Sequence, residues 1–428
     1  MKIRITKTSI NRFLVSWGLF LVFFSSACLW NEDSLRSYIL CSAVIVVITA
    51  LSLLSRPVSV HRIINNRFIL WVIVTYTLFE IYGLFWLRAG GFNWDFVLVS
   101  GVLQICITLM LMTIDSKDDI IRIYSTSCAI SILVVCIYMI MKGSVRLSNI
   151  TLGSSFGLEL SGNRNTVATI IGIMLIPEVY LLITEKKLKV VLLSIAVLGA
   201  LCMLLTGSKK GVIVILLIAL MAFVNDRNSI KYFIFPLVLL IGIYAIFNIG
   251  FLYNVIGFRL RDMFAALGIG TAVTRAQSTS IRRMYILLGL KSMWHHPVLG
   301  GGMNYFQYIN NAKYYSHNNY VELLNNFGFF GTLLYYYPFI RGCAYMRKMQ
   351  TKCNCIERTT YMFLLIYLLS KLALDYAMVS YSTMCVFSMQ FVLLAEYVRR
   401  IKYEQSQNND HTSVIRAGWS RKNNSIRG

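Results

Sequence analysis

The sequence is poor in charge and poorer still in acids. Only 14% of its 428 residues are charged, and 18 Asp and Glu stand against 41 Lys and Arg. It has no Walker phosphate loop, no glycine-rich nucleotide fingerprint and no serine nucleophile elbow, so the residues that nucleotide-driven and serine-based chemistry need are missing. The acids assigned below to the external side are Glu32, Asp33, Asp95, Glu159, Asp262 and Glu322. None forms the Asp-x-Asp pair that would hold a divalent ion on a diphosphate, and neither a metal nor a cofactor is expected. Ten cysteines occur, none in an external loop, which excludes a disulfide framework. Cys353 and Cys355 form a C-x-C without a second pair nearby; a structural zinc site needs about four ligands, so a reduced pair is the better reading. There is no internal repeat, and no matched pair of Gly/Pro-broken spans of the kind transporters show.

What the sequence does have is apolar length. It is 57% hydrophobic, with a mean hydropathy of +0.64. A bilayer core about 30 Å thick needs roughly 20 apolar residues per helix, and such runs recur along the chain. They are continuous rather than alternating with period two, which excludes a β-barrel. We expect an all-α, polytopic membrane protein of about twelve spans, with ends good to a few residues: approximately 10–30, 38–55, 68–87, 96–114, 120–141, 165–183, 188–205, 208–224, 231–250, 318–340, 360–375 and 378–398. The first run follows a basic start resembling a signal peptide, but it is long and lacks a cleavage site before a soluble domain, so it reads as a retained helix. Residues 1–402 make one membrane domain; 403–428 are polar and expected to be disordered. The formal charge of +23 does not indicate nucleic-acid binding, because the basic residues are spread over many short loops. Most of them fall in segments that share a side if both termini are cytoplasmic, as the positive-inside rule requires.

The stretch 251–317, between spans nine and ten, breaks that rule. It is the longest connection and lies on the external side, yet it carries Arg259, Arg261, Arg275, Arg282, Arg283, Lys291 and Lys313 against Asp262 alone. Long loops usually carry function. Within it, Met284 to Trp294 is apolar enough for an interfacial helix. His317 lies where the loop re-enters the membrane, and a histidine there can accept a proton near neutral pH. The plainer alternative is an interfacial histidine bonded to backbone, but the seven basic residues upstream favour function. Guanidinium groups bind phosphate bidentately and stay charged when water is excluded. Arg282 and Arg283, then Arg275, are therefore candidate ligands of a lipid-borne diphosphate; attraction to anionic headgroups is the alternative. The turn Thr206–Gly211 brings Lys209 and Lys210 as two further cations, or as two snorkelling lysines. Asn163, Arg164 and Asn165 open the sixth span with donors for phosphate or sugar. Glu80 and Glu178 lie within spans and are functional candidates by position. Lys371 and Asp375, spaced i, i+4, are expected to pair.

Three blocks, in order, resemble a known family. Gly162-Asn163-Arg164-Asn165-Thr166 opens a middle span. Leu205-Thr206-Gly207-Ser208-Lys209-Lys210-Gly211 resembles a T-G-S-R-G turn. Arg282/Arg283, Trp294-His295-His296-Pro297-Val298-Leu299-Gly300-Gly301-Gly302, His317-Asn318-Asn319-Tyr320 and Gly328-Phe329-Phe330-Gly331 follow. Together they resemble the signature of the O-antigen ligase and Wzy-type polymerase superfamily, over residues of about 150 to 340. The resemblance implies a GT-C-like glycosyltransferase that moves a glycan from undecaprenyl diphosphate to a sugar hydroxyl outside the cytoplasmic membrane of a bacterium. His317 would be the base; Arg282 or Arg283 and the Lys209/Lys210 turn would hold the diphosphate, and Asn318 joins the substrate-binding set. The turn has Lys where the family has Arg, which keeps the charge and loses the bidentate fork. His295 and His296 read as part of a structural turn. A repeat-unit polymerase is the first expectation, a ligase passing finished glycan to another acceptor the second, and a lipid-glycan transporter without chemistry the third. The expected partners are the lipid-linked glycan, membrane lipids, a chain-length regulator and a flippase.

Overall fold

A computed structural model describes most residues from 6 to 379. Segments 1–5, 29–34, 86–93, 142–163, 219–240, 266–276 and 380–428, with some shorter ones, lie outside the described residues. Among the described residues the chain is all helix, without strands. The helices are α1 (Lys7–Cys28), α2 (Leu35–Ser55), α3 (Val60–Ile64), α4 (Arg67–Phe85), α5 (Trp94–Met112), α6 (Lys117–Met141), α7 (Arg164–Thr184), α8 (Lys189–Leu205), α9 (Gln277–Ser292), α10 (Tyr305–Ile309), α11 (Asn319–Gln350) and α12 (Cys355–Asp375). A short turn of helix at Gly250–Leu252 runs into a π turn at Tyr253–Gly257.

Among the described residues three helices, Lys7–Cys28, Asp118–Met141 and Asn165–Thr184, are long and apolar enough to cross a membrane. With the shorter apolar helices 39–55, 69–79, 102–112 and 189–205, they make this a membrane protein. The helices start and stop within a few residues of the expected spans, because apolar length is what a lipid-facing helix needs. The expected spans 208–224, 231–250 and 378–398 fall wholly or largely outside the described residues, as do the tail 403–428 and the C-x-C pair's Cys353.

Three features differ from the sequence reading. α9 begins at Gln277, not at Met284, so Arg282 and Arg283 lie within the helix rather than at its threshold. α11 continues through Arg341, Arg347 and Lys348, where a loop was expected. Its 32 residues would measure about 48 Å if straight, so charge marks where it leaves the apolar region rather than where it ends. α3, too short to leave a hydropathy signal, was not foreseen.

α1 packs on α2 and α6, α7 on α6, α8 and α12, and α11 on α12 and α4. Polar ties fix which helix ends lie together. Arg122 at the start of α6 pairs with Glu185 just past α7 at 3.3 Å. Tyr180, late in α7, bonds Thr360, early in α12, at 2.9 Å. Arg12 pairs with Asp119, and Asn11 bonds both Ser52 and Thr113. One end of the bundle thus gathers the starts of α1, α6 and α12 with the ends of α2, α5 and α7. The other gathers the start of α7 and the end of α12. Glu178 is fully buried in α7, and its carboxylate has no hydrogen-bond partner among the described residues; the Glu80 side chain lies outside them.

Candidate functional site

Glycines build the site's frame. At Gly328 the backbone of α11 leaves helical geometry, with φ 63° and ψ −166°. In an unbroken helix the amides of Phe329 and Phe330 would bond the carbonyls of Asn325 and Asn326. Here they bond the carbonyls of Pro297 and Val298 instead, at 2.8 and 3.0 Å. The freed carbonyls of Asn325 and Asn326 accept from Gly301 and Gly302 at 2.9 and 3.0 Å. The segment 297–302 therefore replaces both halves of the broken helical bonds, and all four of these freed backbone groups are paired. The close approach excludes side chains. A Cβ at Gly300 would lie 2.4 Å from the Asn326 backbone, and one at Gly328 would lie 2.4 Å from the Val298 backbone. Both glycines also have positive φ, which other residues adopt only at a cost. The expected turn at His295 and His296 is present, as a 3₁₀ turn over Met293–His295 leading into this clamp.

α9 is held to the same stretch of α11. Asn325 donates to the Gly289 carbonyl at 2.9 Å and accepts from the Ser292 hydroxyl at 2.6 Å. A Cβ at Gly289 would lie 2.1 Å from the Val321 side chain, so the α11 side chains pack directly on the α9 backbone there. That contact sets where the face of α9 carrying Arg282 points. Successive residues on a helix are about 100° apart; Arg282 is half-buried, whereas Arg283 is exposed.

His317 sits on the turn before α11 with φ 58°, a left-handed conformation costing about 1–3 kcal/mol for a residue of this kind. Its neighbours hold it there. The Ser316 amide donates to the Glu322 carboxylate at 2.8 Å, and the Ser316 hydroxyl to the Asn318 carbonyl at 2.9 Å. The Asn318 side chain caps α11 by accepting from the Val321 amide at 3.0 Å and donates to the Tyr376 carbonyl at 3.1 Å. Asn318 thus spends its amide within the protein, positioning the turn.

Behind the turn lies a buried polar network. Asp375 pairs with Lys371 and accepts from the Tyr336 hydroxyl at 2.7 Å. Asn319 donates to Tyr336 at 2.7 Å and to Asp375 at 3.3 Å. Lys371 also lies 4.6 Å from the Phe339 ring centroid and 4.8 Å from that of Tyr335, where cation–π attraction offsets part of its desolvation. The expected Lys371–Asp375 pair is present, and it supports the His317 turn.

The imidazole of His317 lies between two tyrosines, its ring centre 4.5 Å from that of Tyr315 and 6.5 Å from that of Tyr285. Burial, then the charges of Arg282 and Lys210, push its pKa down to about 4. Each disfavours the imidazolium, so at neutral pH the ring carries a free lone pair. Burial also draws Arg282 below its usual value, against the opposing influence of Tyr315. Tyr315 is raised by burial and by Glu322 despite Arg282, and keeps its proton. Lys210 is buried at the head of the helical residues that follow the Thr206 turn, within electrostatic reach of Arg282, His317 and Asp375.

Of the residues singled out by sequence, the fold brings together His317, Arg282 and Lys210. Asn318 belongs to the frame, and Arg283 lies on a different face of α9. Arg164 and Asn165 open α7 at the same end of the bundle. Arg275 and Lys209 lie outside the described residues. Tyr315, Tyr285, Glu322, Asn325 and Asp375 were not identified as site residues. An aromatic or polar residue in or beside a span has many structural uses, and only its placement distinguishes them.

The fold and site define an all-helical membrane protein with a neutral imidazole and buried cations at one end of its bundle. Residues 194–336, from α8 into α11, match the family model described as O-antigen ligase. The match encloses Lys210, Arg282 and His317 and bears out the resemblance drawn from the sequence blocks. No curated protein matches the chain.

Proposed function

We propose that this protein is a metal-independent, inverting glycosyltransferase of the bacterial inner membrane, polymerising undecaprenyl-diphosphate-linked repeat units into O-antigen, capsule or exopolysaccharide. Its architecture is GT-C-like with about twelve spans, both termini are cytoplasmic and the site faces outward. A flippase supplies the donor and a chain-length regulator acts beside it. The observation that carries this reading is the neutral His317 imidazole with Arg282 and Lys210 in electrostatic reach. Those cations neutralise the diphosphate, with Arg275, Arg283, Lys209, Arg164 and Asn165 as further donors around it.

His317 takes the proton of the acceptor hydroxyl. The hydroxyl oxygen attacks the anomeric carbon from the face opposite the phosphate, the carbon–oxygen bond to phosphate breaks, and its electron pair leaves with the diphosphate. Preorganised cations at a developing anion are usually the largest catalytic contribution. Burial, and after it the same two cations, hold the His317 pKa down. A bound diphosphate offsets their charge, so the imidazole gains basicity once the donor is in place.

The family model's description favours a second reading, in which finished glycan passes to a different acceptor. The deciding experiment incubates purified protein with an undecaprenyl-diphosphate-linked repeat unit, without added metal or nucleotide. A ladder of lengthening lipid-linked glycan is expected, and His317→Ala should lower its rate about 100-fold or more. Transfer only to an added second acceptor would select the ligase. An undiminished His317→Ala protein would overturn the chemistry and leave a transporter.

A further inference from the structure

As the proposed base, His317 needs the acceptor hydroxyl within hydrogen-bond reach, about 2.6–3.2 Å between heavy atoms. The sugar that carries this hydroxyl must then lie against whatever flanks the imidazole. Two tyrosines do. The Tyr315 ring is centred 4.5 Å from that of His317 and tilted by 59°; the Tyr285 ring is centred 6.5 Å away and nearly parallel, at 12°. Both are half-buried, so each keeps part of its side chain open. A pyranose has a face of C–H groups and a rim of hydroxyls. An aromatic side chain with an apolar body and a polar tip suits such a surface.

The glycine frame holds both rings. Tyr285 meets Phe306 edge to face, with ring centres 5.9 Å apart. Phe306 is wholly buried against the bare backbone of Gly289, 3.2 Å from where a Cβ would stand. Tyr315 packs on the apolar core of the bundle and precedes Ser316, whose amide and hydroxyl are both bonded. Arg282, Tyr285 and Gly289, spaced i, i+3 and i+7, share a face of α9. Tyr285 stands about 4.5 Å further along the helix axis than Arg282, and Tyr315 is within electrostatic reach of Arg282. The imidazole thus has an aromatic flank adjoining its cationic one. An in-line displacement needs two such flanks, because the acceptor enters opposite the departing diphosphate.

We propose that Tyr285 and Tyr315 form the acceptor subsite, their rings taking the C–H face of a pyranose at the end of the acceptor glycan and setting its hydroxyl against His317. The subsite rests on the polymerase reading, in which a lipid-linked repeat unit is the acceptor. The ring faces make the contact, and the phenol hydroxyls are dispensable.

The test uses the full-length protein in detergent with the repeat-unit oligosaccharide released by mild acid from its lipid diphosphate, read by saturation-transfer NMR. Without a diphosphate no glycan transfer can occur, so binding is read apart from chemistry. Saturation should reach the sugar C–H protons at millimolar oligosaccharide. Affinity should fall about fivefold in Tyr285→Leu and in Tyr315→Leu, within the range of one aromatic contact, and stay within about twofold in Tyr285→Phe and Tyr315→Phe. Tyr337→Leu, which removes an exposed ring from α11, should leave it unchanged. If one of the Leu variants does not stay monodisperse, the other decides. No saturation transfer with the unaltered protein, unchanged affinity in the Leu variants, or an equal fall in the Phe variants or in Tyr337→Leu would overturn the subsite. Chain growth by the unaltered protein beside any of these results would leave the polymerase standing. Tyrosine-dependent binding by a protein that lengthens no lipid-linked glycan would instead overturn the polymerase and leave a glycan site.

Discussion

The helices α1 to α8 and the segment 277–331 are built on opposite principles. The first are held by apolar packing in which Val15, Leu19, Ile132 and Ile170 are wholly buried. One side chain of similar volume could replace another there at small cost. The second is held by backbone approaching backbone at Gly300 and Gly328, by side chains packed on the bare backbone of Gly289, and by amides with specific partners. Burial sets that a helix forms and where it stops; it does not set which atoms face each other to a fraction of an ångström. A site that must hold an imidazole beside two cations needs the second kind of construction. The glycine-rich motifs are therefore best understood as the frame that points Arg282 and His317 at one another.

The largest effect should come from filling the clamp. Gly300→Val and Gly328→Val would each force a Cβ against backbone at 2.4 Å in a strained conformation. A loss of about 4 kcal/mol or more is expected, the range reserved for specific structural damage. Gly250 has nothing within 4 Å of a Cβ, and Gly250→Ala should stay within about 0.5 kcal/mol. Thermal unfolding in detergent compares them, and similar melting of Gly328→Val and Gly250→Ala would erase the distinction between the two regions.

Next comes the network behind the turn. Asp375→Ala leaves the Lys371 ammonium buried without its carboxylate, at a cost of about 3–5 kcal/mol. Lys371→Met/Asp375→Leu removes both charges and should recover much of that stability. It should not recover activity, because Asn319 and Tyr336 lose the acceptor that ties them to α12. Asn325→Ala should be milder, at about 1–3 kcal/mol for buried groups left without partners. Glycan transfer should fall further than stability does, since α9 then holds Arg282 less firmly.

Much of the helical layout was legible in the sequence because a bilayer imposes one strong rule on length and hydropathy. The rule fails where its cause is absent. α9 starts early because Gln277-Ser-Thr-Ser, polar to hydropathy, precedes a helix docked through Gly289 onto α11. α11 runs on past Arg341 because a helix satisfies its own backbone whether or not its side chains are apolar. In the site, His317 and Arg282 were legible as chemistry, being charged or titratable in a long loop on a side usually poor in Lys and Arg. The support from Asp375, Glu322 and Asn325 was not, because their partners are 56, 6 and 36 residues away and no local pattern records those pairings. Nor does sequence distinguish Arg282 from Arg283; the face of a docked helix does.

That last distinction gives the finest prediction. His317 is held near pKa 4, so the base proposed above is deprotonated in the free protein throughout the neutral range. The acid limb of kcat/KM, which reports the free enzyme, should therefore fall near pH 4 rather than near the ordinary histidine value of about 6.5. Arg282 disfavours the imidazolium. Removing its charge in Arg282→Gln should raise the pKa, so the limb moves to higher pH. Arg283→Gln removes the same charge from an exposed position on another face, where solvent screens it, and should move the limb far less. The same depression bears on stability. His317 is neutral when folded, so its contribution is present above the unfolded pKa and is lost as pH falls through about 4. Equal shifts of the limb in Arg282→Gln and Arg283→Gln would show that the guanidinium facing the imidazole is not what sets its basicity.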